Sequence, residues 1–253
     1  MHIFFQSDIG KKRKNNQDFA GYFKNGQDIL LAVLCDGMGG HKAGDVASEM
    51  AVSHLGDAWK RTDLTDVDAI TEWIQEHINK ENERIVKKSS QYPDLEGMGT
   101  TLVAAALVNN VFIIANIGDS RAYQVMHGNL KQLTEDHSLV NELLKSGEIT
   151  TEAAMKHPQK NILTRSLGVA KKVEVDIMTT PVLEGDLLLL CSDGLTNMVN
   201  DNEIEKIVNI SDATIEEKVL SLVSLANARG GYDNITVILI EPFEGKEGNE
   251  IWK

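Results

Sequence analysis

The sequence predicts an α+β fold in which antiparallel sheets are covered by helices. Strand-like segments come in hairpins, helix-like segments come in pairs, and strict alternation of strand and helix is absent. At 253 residues the chain is long enough to bury one large core, and it shows no internal repeat and no linker that would divide it.

Residues 2–7 read as a strand, followed by the polar turn KKRKNN. Residues 28–36 (DILLAVLCD) are nearly all apolar, the pattern of a strand buried on both faces, and they run into the glycine-rich GMGGH. Ala43, Val46, Met50, Leu55 and Ala58 then recur at helical spacing. A second helix opens at Thr65 and Asp68 in the Ser/Thr-x-x-acid capping pattern, with Val67, Ile70, Ile74 and Ile78 as its core stripe. Beyond Gly97, TTLVAAALV and VFIIANIGD flank Asn109 and Asn110 as the arms of a β-hairpin. RAYQVM and LKQLT flank His127, Gly128 and Asn129 as a second. Residues 136–161 are polar and read as a surface flap with two short helical pieces at most. Residues 187–193 (LLLLCSD) are a second buried strand ending in aspartate. Asn200 and Glu203 cap a short helix, and Asp212 leads a longer one with Ile215, Val219, Leu222 and Ala226 on one face. Residues 234–240 (NITVILI) form the last strand, and the tail from Glu241 on reads as polar and frayed.

An apolar content of 42% is ordinary for a globular protein, but the net charge of −13 argues against broad binding to DNA or RNA phosphates. The surplus carboxylates are either solvated surface or ligands for hard cations. The two cysteines, Cys35 and Cys191, each end an apolar run, and there is no CxxC. They read as buried, reduced thiols, with Cys35 facing away from Asp36 and Cys191 sharing the face of Asp193. In MHIFFQSDIGKKRK the charges follow a short apolar stretch, unlike a signal peptide. No segment approaches the roughly 18 apolar residues needed to cross a bilayer, so the expected location is the cytosol, with no membrane partner.

Four aspartates occupy similar settings. Asp36 ends a buried strand before GMGG, Asp119 follows ANIG, Asp193 ends LLLLCS before Gly194, and Asp233 follows Gly-Gly-Tyr before a strand. Any one of them is explained by turn chemistry, and for Asp119 an ion pair with Arg121 would suffice. Four together, two of them after central strands, point to carboxylates that converge and repel one another unless a cation is present. Oxygen-only ligation suits Mg²⁺ or Mn²⁺ rather than zinc. Arg13 is the one arginine in a lysine-rich turn. Its guanidinium can grip a phosphate bidentately; the plain alternative is a solvated basic turn.

The set R-x-x-N-Q-D (13–18), D-G-M-G-G-H (36–41), G-T-T-L (99–102), G-D-S-R (118–121), S-D-G-L (192–195) and D-N-I-T (233–236) resembles the PP2C (PPM) family of metal-dependent serine/threonine protein phosphatases, in its compact bacterial form. Six motifs in family order cover nearly the whole chain, although DG-x-GG alone is weak. The resemblance implies two stacked antiparallel β-sheets flanked by helical pairs, an α-β-β-α sandwich, as a single domain over residues 1–241 with a polar tail over 242–253. It implies two core divalent cations, Mn²⁺ or Mg²⁺, held by Asp36 as the bridging ligand, by Asp193 and Asp233, and by the carbonyl of Gly37. Asp119 matches a ligand of a third, weaker cation. Asp18 would orient water bound at the cations, and Arg13 would hold the substrate phosphate. Such a pair of cations lowers the pKa of water, so no Cys or Ser nucleophile is needed.

Eukaryotic members carry His directly after Asp-Gly as a candidate general acid. Here that place is Met38, and His41, three residues on, is the natural substitute; the alternative is a histidine that only hydrogen-bonds locally at a helix start. The other histidines, His137 and His157 of the flap among them, read as structural or surface. Asn161, Thr164 and Arg165 follow the flap and are placed near the cleft. The implied activity is hydrolysis of phosphoserine and phosphothreonine in proteins, by a monomer opposing a bacterial serine/threonine kinase. The competing readings are a phosphatase-like binding module without catalysis and a metal-dependent hydrolase of a small phosphate ester.

Overall fold

The computed structural model describes residues 1–39, 43–155 and 157–242; His41 and the tail beyond 242 lie outside them. The elements in chain order are β1 (His2–Asp8), β2 (Asp18–Lys24), β3 (Leu30–Met38), α1 (Gly44–Trp59), α2 (Val67–Gln91), β4 (Gly99–Thr100), β5 (Leu102–Val108), β6 (Val111–Ile117), β7 (Arg121–Met126), β8 (Asn129–Gln132), α3 (Leu139–Lys145), α4 (Thr151–Met155), β9 (Asp176–Pro181), β10 (Leu187–Cys191), α5 (Asp193–Thr196), α6 (Asp201–Val208), α7 (Ile215–Ala228) and β11 (Ile235–Glu241). One sheet runs β1-β11-β10-β7-β8; the other runs β2-β3-β5-β6-β9, with β4 paired to β3. All the strand pairings are antiparallel.

Side-chain alternation along the central strands builds three apolar layers. In β3, Leu30, Ala32 and Leu34 meet Leu188, Leu190 and Ile238 between the sheets. Leu31, Val33 and Cys35 point the other way, into a core shared with Ala47, Trp59, Ile74 and Ile78 of α1 and α2. In β10, Leu187, Leu189 and Cys191 join Ile204, Val219 and Leu222 of α6 and α7. The stacking is the expected α-β-β-α sandwich, because each central strand has an apolar neighbour on both faces and neither sheet can turn a face to water.

Local chemistry explains the connections. Asn109 (φ 49°) and Asn110 (φ 58°) both take left-handed backbone, which a two-residue hairpin turn needs and which asparagine tolerates. Asn200 and Glu203 form the expected capping box on α6. Two caps differ from expectation. Asp66, not Thr65, accepts the N–H groups of Asp68 and Ala69 at the start of α2. Thr214 with Glu217, not Asp212, caps α7. In both helices a closer oxygen competes for the same orphan N–H groups.

Candidate active site

β2 and β3 pair so that Asp18 lies directly opposite Asp36. Cys35 belongs to the helix-covered core and Leu34 to the layer between the sheets, so Asp36 turns inward at the strand end. Its backbone is clamped: the Asp36 N–H donates to Thr101 Oγ1 at 2.9 Å, and its carbonyl accepts from Thr100 Oγ1 and the Thr101 N–H, each at 2.9 Å. Asp18 is buried, and its Oδ2 accepts from Ser192 Oγ at 2.7 Å, a bond that crosses from one sheet to the other. Gly37, next to Asp36, donates its N–H to the Gln17 carbonyl at 3.0 Å, which draws the segment before Asp18 against the same corner.

Asp193 opens α5, and its Oδ2 accepts from Asn197 Nδ2 at 2.9 Å. Because β10 stops at Cys191, strand alternation does not reach Asp193. Cys191 therefore faces the α6–α7 core and does not share the aspartate's face, contrary to expectation, while both thiols are free and buried as expected. Asp233 precedes β11, and Arg13 donates to its Oδ2 at 2.6 Å. The arginine loop is tied to this corner by Asn234, whose Nδ2 donates to the carbonyls of Ile9 (2.9 Å) and Asn15 (3.0 Å) and whose Oδ1 accepts from the Gln17 N–H (2.8 Å). Arg13 thus stands at the aspartate cluster and is more than a solvated turn residue.

The ion pair considered for Asp119 goes elsewhere. Arg121 spends its fork on Asp136, at 2.8 and 2.7 Å, and on the Tyr123 hydroxyl at 2.9 Å. Asp119 instead faces Asp193. Burial, then the charges of Asp193 and Asp136, push its carboxyl up to about 8. The whole cluster shares this tension. Burial, with the repulsion of neighbouring aspartates, raises Asp18 to about 7 and Asp193 to about 6, and it lifts Asp36 well above the carboxylate range.

As the side chains stand, no three His, Cys, Asp or Glu among the described residues are gathered closely enough to hold one ion. Arg13, Asn197 and Ser192 each draw one carboxylate aside. Yet Asp18 Oδ1 and Asp193 Oδ1 are buried with no hydrogen-bond partner. Buried carboxylate oxygens left unpaired among neighbouring carboxylates are what a cation would satisfy, so the donor set fits hard divalent ions.

Beside the cluster, between the flap and α5–α6, runs a cleft of about 680 Å³ bordered by Asp119, Asp193, Lys160 and Asn161. Asn161 lies at the cleft as expected. Thr164 and Arg165 do not: the Thr164 N–H bonds the His137 carbonyl, and Arg165 pairs with Asp176 and Glu174. Lys160 Nζ donates to Asn197 Oδ1 at 3.0 Å, linking the flap to the residue that holds Asp193. The supporting residues Thr101, Ser192 and Asn234 were not singled out from the sequence; their only signal was a buried-type polar residue beside an aspartate in G-T-T-L, S-D-G-L and D-N-I-T.

The family pattern for protein phosphatase 2C matches residues 9–236. The serine/threonine phosphatase stp of Listeria monocytogenes is 52% identical over 242 residues, spanning 95% of this chain and 96% of that protein. The protein phosphatase PhpP of Streptococcus pneumoniae is 47% identical over 240 residues, 95% of this chain and 97% of that one. Among solved structures, the Streptococcus agalactiae serine/threonine phosphatase superposes with a TM-score of 0.91 at 47% identity, covering 94% of this chain and 98% of that one. With the aspartates gathered at one end of the stacked sheets, this chain belongs to the protein phosphatase 2C family.

Proposed function

We propose that this chain is a protein serine/threonine phosphatase that hydrolyses its substrates with Mn²⁺ or Mg²⁺ held by its aspartates. The observation that carries the reading is the convergence of Asp18, Asp36, Asp119, Asp193 and Asp233, with two buried carboxylate oxygens unpaired. Asp36, Asp193 and Asp233, with the Gly37 carbonyl, would hold two cations, and Asp119 with Asp193 a third, weaker one. Bound divalent cations supply a Lewis acid that lowers the pKa of water and neutralises phosphoryl oxygens.

The chain's own residues do the rest. Arg13, held near the cluster by Asn234, turns its fork from Asp233 to the substrate phosphate. Asp18 orients the attacking water at its unpaired oxygen. Asp119 positions the proton donor for the leaving alkoxide, a task His41 shares as candidate general acid. Residues 1–241 act as one catalytic domain. Phosphorylated proteins are the substrates, with a serine/threonine kinase of the same cell proposed among them, and the chain works as a cytosolic monomer. The charge of −13 supports the exclusion of nucleic acid, and no helix among the described residues is long and apolar enough to cross a membrane.

An assay on a phosphothreonine peptide tests this. Turnover that requires Mn²⁺, vanishes with EDTA, ignores okadaic acid and falls at least about a hundredfold in Asp36→Ala, Asp193→Ala and Asp233→Ala is expected. Undiminished turnover in any of the three variants removes that residue from the site.

A further inference from the structure

His137 is buried at the base of the flap, does not line the cleft, and is not one of the residues bonded to Asp18, Asp36, Asp193 or Asp233. It grips Gly118, the residue before Asp119, twice. The Gly118 N–H donates to His137 Nδ1 at 3.1 Å, and the His137 N–H donates to the Gly118 carbonyl at 2.9 Å. These two groups belong to the peptides on either side of the Gly118 Cα, so together they fix both of its dihedrals. Gly118 sits at φ +105°, where a side chain is strained, and a Cβ there would come 2.6 Å from Thr101 Cγ2. It is the pivot that aims Asp119.

The imidazole is itself aimed. Because Nδ1 accepts from Gly118, it carries no proton, so Nε2 holds the proton and donates to Asp176 Oδ2 at 3.0 Å. Asp176 is gripped in turn by Arg165, at 2.8 Å, just past the flap. Downstream of Asp119, Ser120 Oγ lies 2.7 Å from Thr101 Oγ1, the same atom that accepts the Asp36 N–H. Asp119 is therefore set from one side by the Asp36 strand and from the other by a histidine at the start of the flap that is tied to Thr164 and, through Asp176, to Arg165, just past the flap's end.

We propose that His137, as its Nε2–H tautomer, is a positioning residue that sets the direction of the Asp119 carboxylate and so couples the flap to the handling of the leaving group. This rests on the role given to Asp119 above and adds a residue that does not touch substrate or cation.

The test compares phosphothreonine peptide with p-nitrophenyl phosphate, whose leaving group barely needs a proton. Asp119→Ala is expected to lose peptide turnover selectively. His137→Ala should copy that selectivity, losing at least about tenfold on the peptide and several-fold less on p-nitrophenyl phosphate. In the Asp119→Ala background it should add no further selective loss. His137→Asn, whose Oδ1 can accept the Gly118 N–H, should recover most peptide turnover; His137→Gln should not. Nitrogen NMR should show the Nε2–H tautomer, and the Gly118 amide signal should move in His137→Ala and His137→Gln but stay in His137→Asn. Equal losses on both substrates that persist without Asp119 would overturn the proposal, as would an Nδ1–H tautomer. If Asp119→Ala itself shows no selectivity, the role of Asp119 fails; an unmoved Gly118 signal in His137→Ala then also overturns the positioning role, and a moved one retains it.

Discussion

A Cβ placed on Gly194 would lie 1.9 Å from the carbonyl oxygen of Asn234. The glycine after Asp193 is thus explained by close backbone approach: it brings the start of α5 against the start of β11, and with them Asp193 toward Asp233. Gly194→Ala should force the two segments apart. About 1–3 kcal/mol of lost stability is expected from overpacking, and about a hundredfold loss of kcat from misplaced aspartates. Urea melts and steady-state kinetics check both; a variant normal in both would show that the contact is incidental.

Arg13→Ala should raise KM for phosphopeptide about tenfold, with a smaller fall in kcat, and Arg13→Lys should restore only part of it because the fork is lost. Asn234→Ala removes the bonds to Ile9, Asn15 and Gln17 and should cost about 2–3 kcal/mol. It should also raise KM, since it frees the loop that carries Arg13. Combining the two substitutions should raise KM no further than the larger single effect. Additive effects would separate Asn234 from the arginine.

The cluster predicts a pH dependence for chelator-treated protein. The carboxyls of Asp193, Asp18 and Asp119 are raised to about 6, 7 and 8 from an ordinary 3.8. The native state therefore keeps protons that the unfolded chain releases, and the stability these groups contribute is full below about pH 4 and lost as pH climbs through 6 to 8. Asp36→Asn removes a group that the native state holds protonated and the unfolded chain ionises, so the EDTA-treated variant should gain on wild type between pH 5 and 8. Mn²⁺ at a hundred times its Kd should restore about 2.7 kcal/mol to wild type and little to the variant. A wild-type urea midpoint that outpaces the variant's as pH rises would contradict the picture.

Cys35 and Cys191 lie in different helix-covered cores, on opposite outer faces of the sandwich. Burial raises the Cys35 thiol well above its ordinary value and pushes Cys191 up to about 12. Native protein should react with a thiol reagent at neither position, while unfolded protein should release two thiols per chain. Mass spectrometry that found the two bridged would be incompatible with this fold.

The sequence was most informative where one residue carries one local demand. The paired asparagines at 109 and 110, the box of Asn200 and Glu203, and the unbroken apolar runs of β3 and β10 all read correctly because turn, cap and burial are short-range effects. β2 and β9 escaped notice. β9 is an edge strand with no fully buried position, so its side chains carry no alternation to read. The aspartates were legible as strand-end residues, but the bonds that aim them were not. Asp18 to Ser192 and Asn234 to Ile9 join residues far apart in the chain, and only the stacked sheets bring them together. His137 read as structural, since nothing near it in sequence shows that its ring faces Gly118.

β1 lies beside β11, and Arg13 meets Asp233 across 220 positions of chain. Closing so long a loop delays its reward until most of the molecule is already ordered. A refolding chain will thus recover helix signal well before it can cleave a phosphoester, and any kinetic intermediate in which β1 has not docked will be compact yet catalytically silent.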